Sequence, residues 1–181
     1  SRVFCPAYRL APEHPFPAAL DDALTAYRYL LQKGYDPKQI TLCGESAGGG
    51  LCYNLCILLR QLALPMPCGV IAISPWTDLT ASGSSYEANL EKDPSMTVQQ
   101  LQFYASCYTQ DPSDPMVSPL FAQLEGLPPS LILVGGDEIM LDDSTQIHQK
   151  LLAAGCKSQL HIAPERWHAY VLYELAENEE D

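Results

Sequence analysis

Short apolar runs alternate along the chain with longer stretches in which apolar residues recur at helical spacing. The runs cover residues 40–43, 70–73, 131–134 and 159–162. Helices are predicted between them over 20–31, 51–62 and about 144–154, and a further helix ends the chain. An extended run over 2–8, predicted to be a strand, precedes the first helix. This order predicts an α/β protein in which helices cover a mostly parallel sheet.

Residues 75–130 interrupt the alternation. Seven prolines break this segment, namely Pro75, Pro94, Pro112, Pro115, Pro119, Pro128 and Pro129. One helix is predicted inside it, beginning at Thr97 with Gln100 in the capping-box position. Long insertions between strands usually form a lid or a pocket wall. We therefore predict one domain over residues 1–181, with a lid or pocket-wall insertion at 75–130.

The sharpest chemical signal is the sequence GESAG at residues 44–48, which matches G-x-S-x-G. An apolar strand precedes it and an apolar-striped helix follows it, as a nucleophile elbow requires. In such a turn, the glycines two residues either side of Ser46 are expected to avoid a clash. The turn lifts the Ser46 hydroxyl above the sheet, beside a helix N-terminus that favours a developing anion.

A nucleophilic serine needs a base, and the base needs an orienting acid. In folds with this elbow, the chain order is serine, then Asp or Glu, then His. Asp137 follows the strand over 131–134, and His168 follows the strand over 159–162. Both therefore lie at the sheet edge where Ser46 stands. The sequence predicts Ser46 as nucleophile, His168 as base and Asp137 as orienting acid.

Other acidic and histidine residues fit these roles less well. Glu138 is adjacent to Asp137, and either Asp142 or Asp143 is expected to cap the helix that follows. His161 lies inside a strand and is expected to be structural. We expect the two remaining histidines, His14 and His148, to be exposed to solvent.

Composition and charge limit the partners. Ten Lys and Arg against 22 Asp and Glu give a net charge of −12, which disfavours nucleic acid. No stretch approaches the roughly 18 apolar residues of a membrane span. The seven cysteines form no C-x-x-C pair, which predicts a reducing, cytoplasmic location without disulfides or zinc. No metal or cofactor is predicted.

Several further motifs, in order, resemble the hormone-sensitive-lipase-like branch of the α/β-hydrolases. The resemblance covers nearly the whole chain and rests on residues 8–19 (YRLAPEHPFPAA), 44–49 (GESAGG), 74–79 (SPWTDL), 118–120 (SPL), 127–129 (LPP), 136–143 (GDEIMLDD) and 167–170 (WHAY). It implies the α/β-hydrolase fold and carboxylic-ester hydrolysis by Ser46, His168 and Asp137. It also implies cis peptide bonds at Ala11-Pro12 and Phe16-Pro17.

The sequence departs from this branch at the oxyanion hole. Members carry a His-Gly-Gly-Gly loop upstream of the segment that begins here at Tyr8, and this chain begins after that place. We therefore expect a C-terminal portion of an esterase, without the first strands and the N-terminal cap. The backbone N–H of Ala47 is the remaining oxyanion donor. Because one lost donor typically costs about 10²–10³ in turnover, we expect weak or no activity alone.

Three functions remain open. The first is a serine carboxylesterase or lipase-like hydrolase that cleaves small-to-medium acyl esters through an acyl-Ser46 intermediate. The second uses the same triad on amide, peptide or thioester substrates. The third is a non-catalytic ligand-binding protein on this fold, like the plant gibberellin receptors that resemble this branch. The expected partner is a small-molecule ester, and an exposed sheet edge favours a homo-oligomer.

Overall fold

A computed structural model describes residues 2–174. Its sheet has four parallel strands in the order β1-β2-β3-β4, which are Thr41–Glu45, Gly69–Ile73, Ser130–Gly135 and Ser158–Ala163. The helices α1 to α6 are Ala18–Gln32, Ala47–Gln61, Ser85–Ala88, Val98–Tyr108, Leu141–Ala153 and Val171–Glu174, with short 3-10 turns at Pro37–Gln39 and Pro119–Phe121. The four predicted apolar strands are confirmed. The helices predicted up to residue 154 are also confirmed, although α2 and α5 begin earlier than expected. Of the helix predicted at the end of the chain, Val171–Glu174 is described, and the remainder lies outside the described residues.

One face of the sheet carries the main core. Val70, Ala72 and Ile132 point to this face, where they pack against side chains of α2 and α5 such as Ile57 and Ile147. Helix α1 packs in turn on α2. The opposite face is more open: Cys43 and Leu131 are exposed, and Ile71 and Leu133 are half-buried.

The N-terminal segment does not form the predicted strand. Residues 2–10 have no regular secondary structure, and Val3 is 93% exposed. An extended segment becomes a strand only when its backbone pairs with a neighbour, and β1 pairs with β2 alone among the described strands. A bidentate contact between Arg9 and Asp22 fixes this segment on α1 instead. The two predicted cis peptide bonds are present.

The insertion between β2 and β3 is ordered by its own caps and by bonds to α5. Thr97 and Gln100 form the predicted capping box on α4. The expected cap on α5 is wrong, because Met140 occupies the N-cap position without a side-chain bond. Asp142 and Asp143 reach the insertion instead. Residues 2–174 contain no helix that is long and apolar enough to cross a membrane.

Asp143 is the buried anchor of this insertion. Its Oδ2 accepts the backbone N–H groups of Thr77 and Asp78 at 2.7 and 2.8 Å, and its Oδ1 accepts the Tyr86 hydroxyl at 2.8 Å. Burial raises the pKa of Asp143 to about 7, against the opposing effect of these three donors. The carboxylate therefore holds the loop after β2 against the first turn of α5.

Candidate active site

Ser46 lies in a sharp turn between β1 and α2. Its φ of 53° is in the left-handed region, which costs a non-glycine residue free energy and is typical of functional turns. Its backbone N–H donates to Ile73 O at 2.9 Å, and its carbonyl accepts the Trp76 N–H at 2.9 Å. The strained conformation is therefore held on both sides by the end of β2.

Close backbone approach explains three of the four elbow glycines. A Cβ on Gly44 would lie 2.2 Å from Gly48 O, one on Gly49 would lie 2.8 Å from Pro75 Cβ, and one on Gly50 would lie 2.2 Å from Trp76 O. Gly48 differs, because the nearest atom to its Cβ would be the Tyr8 hydroxyl at 4.0 Å. The steric need predicted for both motif glycines is therefore found at Gly44 and is wrong for Gly48.

His168 is buried and bonded to Glu138. Its Nδ1 lies 3.0 Å from Glu138 Oε2. The predicted acid, Asp137, instead lies 3.8 Å from Lys92 Nζ with a side chain 31% exposed. The contact predicted between Asp137 and His168 is therefore wrong, because Glu138 and not Asp137 lies against the imidazole. The turn after β3 directs the side chain of Asp137 to the surface and that of Glu138 into the interior. The sequence shows two adjacent acidic residues and does not show which of them points inward.

Glu138 is fully buried and receives three hydrogen bonds. Its Oε1 accepts the Ser74 hydroxyl at 2.6 Å and the Gly135 N–H at 2.5 Å, while Oε2 faces His168. These contacts hold the Glu138 carboxyl group in one orientation. Ser74 was missed by sequence reasoning, and its place in the SPWTDL motif was the available signal.

The other ring nitrogen of His168 faces the elbow. Nε2 lies 3.4 Å from Glu45 Oε1, outside hydrogen-bond geometry, and finds no hydrogen-bond partner in the described part of the chain. Burial lowers the pKa of His168, but the carboxylates of Glu138 and then Glu45 outweigh it and raise the pKa to about 9. The imidazolium form is therefore favoured at neutral pH.

The predicted oxyanion donor occupies the first position of a helix. Ala47 begins α2, so its N–H belongs to the first turn, whose amides have no intrahelical acceptor. The positive end of the helix dipole adds to this amide. An anion bound above Ser46 would find this partial charge beside it.

The insertion fixes the loop that carries Glu138. The Asn89 side chain donates to Gly136 O at 3.2 Å and Glu138 O at 2.9 Å. Asp93 Oδ2 accepts the Ile139 N–H at 3.0 Å. This part of the insertion braces the acid loop, and its predicted role as a lid or pocket wall stays a prediction.

The remaining histidines lie away from this cluster. His14 is exposed as expected, whereas His148 is half-buried with Nδ1 2.8 Å from Ser158 Oγ. His161, expected to be structural, has an exposed side chain on the edge strand β4. Over residues 2–174 we find no group of three His, Cys, Asp or Glu side chains that could hold a metal.

Comparison with known proteins defines the class. The model of a family described as alpha/beta hydrolase fold matches residues 1–172, and the chain belongs to this family, in its hormone-sensitive-lipase-like branch. The resemblance and the predicted fold class are thereby confirmed.

Individual relatives are similar over most of the chain. An acetyl-hydrolase of Streptomyces hygroscopicus is 39% identical over 168 residues, which are 92% of this chain and 56% of that protein. A crystal structure of an esterase from the bacterial hormone-sensitive lipase family is 41% identical with a TM-score of 0.91, covering 93% of this chain and 58% of that one. A crystal structure of EstE5 soaked with p-nitrophenyl butyrate is 44% identical with a TM-score of 0.89, covering 93% of this chain and 57% of that one. The chain thus spans little more than half the length of these relatives.

Proposed function

We propose that this chain carries the active site of a carboxylic ester hydrolase, with Ser46 as nucleophile, His168 as base and Glu138 as orienting acid. The observation that supports the proposal most strongly is the buried His168–Glu138 hydrogen bond, in an imidazole whose other nitrogen lies 3.4 Å from Glu45, the residue before the strained Ser46. Nε2 of the same imidazole has no hydrogen-bond partner among residues 2–174 and faces the elbow residue before Ser46. An acid, a base and a nucleophile in this order fit acyl transfer.

The mechanism proceeds by two displacements. Nε2 of neutral His168 takes the Ser46 proton as Oγ attacks the ester carbonyl carbon. The resulting oxyanion is stabilised by the Ala47 N–H and the start of α2. His168 then gives the proton to the departing alcohol, which leaves acyl-Ser46. A water molecule, deprotonated by His168, attacks the acyl group and releases the acid, and the proton returns to Ser46.

Glu138 keeps the imidazole in the reactive tautomer. By accepting from Nδ1 it leaves the lone pair of Nε2 available for the serine proton, and its negative charge stabilises the imidazolium formed during the reaction. Its buried position and its bonds to Ser74 and Gly135 hold this charge in a fixed orientation. Glu138 therefore acts by orientation and electrostatics rather than by accepting the proton itself.

We propose small-to-medium acyl esters as substrates. Support comes from the relatives, one called an acetyl-hydrolase and another an esterase soaked with p-nitrophenyl butyrate. We also propose that turnover by these 181 residues alone is weak. Within the described residues, the elbow supplies one backbone oxyanion donor, Ala47, and each further donor is worth about 10²–10³ in turnover.

Covalent labelling tests the proposal directly. The chain is treated with a fluorophosphonate and its intact mass is measured, beside Ser46→Ala and the matched control Ser106→Ala, which alters an exposed serine on α4. One added label in the wild type and in Ser106→Ala, lost in Ser46→Ala, is the expected result. Failure to label a folded wild-type chain would contradict the proposal and favour a ligand-binding protein.

Substrate class requires a second measurement. Matched acetyl and butyryl derivatives of p-nitrophenol, p-nitroaniline and a thiol leaving group compare ester, amide and thioester cleavage. We expect the esters to be cleaved fastest. Faster cleavage of the anilides or thioesters would replace the ester proposal by the corresponding alternative.

Location and assembly are proposed on separate grounds. All seven cysteines are free, which fits a reducing cytoplasm. Strand β1 pairs on one side only in the described sheet, and an open strand edge favours association between copies. Light scattering after size-exclusion chromatography is expected to give a mass above that of one chain.

A further inference from the structure

We propose that Ser74 is a positioning residue whose hydroxyl holds Glu138 and the His168 loop in one fixed geometry. The inference rests on the proposed function, because Ser74 acts on the pair that would activate Ser46. It assigns a role to a side chain outside the predicted nucleophile, base and acid.

The Ser74 hydroxyl connects the loop that carries Glu138 with the loop that carries His168. Ser74 Oγ donates to Glu138 Oε1 at 2.6 Å and accepts the Ala169 N–H at 3.0 Å. One of these residues carries the acid, and the other directly follows His168. Ser74 Oγ therefore fixes the position of the Glu138 carboxyl group relative to the backbone next to His168. Ser74 is fully buried, so water does not compete for these bonds.

The backbone of Ser74 is fixed where the three relevant strands end. It follows β2, which lies between β1, the strand before Ser46, and β3, the strand before Glu138. Its N–H donates to Leu133 O at 2.7 Å, and its φ is 45°. A left-handed conformation at a non-glycine residue persists only where surrounding bonds hold it. The neighbouring strands therefore determine where this hydroxyl points.

Removal of the hydroxyl would release both partners at once. Glu138 Oε1 would keep the Gly135 N–H alone, and the Ala169 N–H would lose its acceptor. The carboxylate could then turn away from Nδ1, and the imidazole would lose its fixed direction. Displacements near 1 Å of this kind typically cost about 10²-fold in rate.

The test compares two variants that lack the hydroxyl. Ser74→Ala retains a side chain in the left-handed conformation, whereas Ser74→Gly also removes the backbone strain. The control is Ser144→Ala, because the Ser144 hydroxyl is equally buried but finds no hydrogen-bond partner within residues 2–174. The readouts are the rate of fluorophosphonate labelling at Ser46 and the proton NMR resonance of the His168 Nδ1–H.

We expect both Ser74 variants to be labelled about 10- to 100-fold more slowly and to shift or broaden the Nδ1–H resonance, with Ser144→Ala like the wild type. Folded variants with wild-type labelling and resonance would overturn the inference. Loss in Ser74→Ala alone would overturn it as well, by assigning the effect to the backbone. If the wild-type chain takes no label, the proposed function fails and the resonance alone decides the role of Ser74.

Discussion

The Nδ1 atom of His168 lies 3.0 Å from Oε2 of the fully buried Glu138. A buried carboxylate in this position stabilises the protonated imidazole and also fixes its orientation. The contact with Glu138 therefore fixes the direction in which Nε2 points, and Glu138 and Glu45 together raise the pKa of the imidazole. Four predictions test this arrangement and the network around it.

Replacing each of the two adjacent acids by its amide is expected to distinguish the role of Glu138 from that of Asp137. Glu138→Gln removes the charge that orients His168 and is expected to lower kcat/KM by about 10³–10⁴, as in other triads that lose their acid. Asp137→Asn changes a surface pair with Lys92 and is expected to stay within about threefold. Ester turnover or labelling rates measure both. Equal losses in the two variants would contradict the assignment.

The pH dependence follows from the two carboxylates that face His168. Their effect raises its pKa to about 9, so activity is expected to rise with deprotonation in that range. Glu45→Gln removes one of the two charges that stabilise the imidazolium, and the rising limb is expected to move to lower pH. Labelling rates between about pH 6 and pH 10 record the limb, against the unperturbed value near 6.5.

Glu13→Gln is the control for this profile, because it removes one exposed charge from the segment before α1. The rising limb of its pH profile is expected to lie at the same pH as that of the wild type. A wild-type limb near 6.5 would contradict the raised pKa of His168, and a Glu45→Gln limb that does not move would show that Glu45 has no influence on that pKa.

Loss of Asp143 is expected to destabilise the fold. Asp143→Ala leaves the N–H groups of Thr77 and Asp78 without their acceptor, and it leaves the Tyr86 hydroxyl only Asp78 O at 3.4 Å. Each unsatisfied buried group costs about 1–3 kcal/mol, so the free energy of unfolding is expected to fall by about 3 kcal/mol or more. Urea denaturation measures this loss. The exposed control Glu87→Ala is expected to change stability by less than about 0.5 kcal/mol.

The elbow glycines offer a matched pair of substitutions. Gly49→Ala forces a Cβ to 2.8 Å from Pro75, and we expect reduced stability and loss of labelling at Ser46. Gly48→Ala meets no atom closer than 4.0 Å and lies in α2, where alanine is favoured over glycine by about 1 kcal/mol. Thermal denaturation and labelling compare the two. Equal tolerance would contradict the close contact between the elbow and Pro75.

Much of the fold follows from local patterns. Apolar runs predicted β1 to β4, and apolar residues at helical spacing predicted α1 and α2. These patterns are local, because the residues that bury one face of an element are close together in the sequence. The capping box of Thr97 and Gln100 was predictable for the same reason, since both partners lie within one helical turn. The elbow around Ser46 was equally local.

Tertiary structure decided what depends on distant partners. Asp137 and Glu138 are adjacent and both acidic, and bonds from Ser74 and Asn89, about 50 to 65 residues away, accompany the inward position of Glu138. Either Asp142 or Asp143 was expected to cap its own helix, but Asp143 bonds to a loop 65 residues earlier. The sequence by itself determined the four strands, most of the helices and the elbow turn around Ser46, because those depend on neighbouring residues. Which acid contacts His168, and which residues hold it there, depended on the tertiary structure. Hydrogen bonds between residues that are distant in the sequence produce no periodic pattern from which they could be predicted.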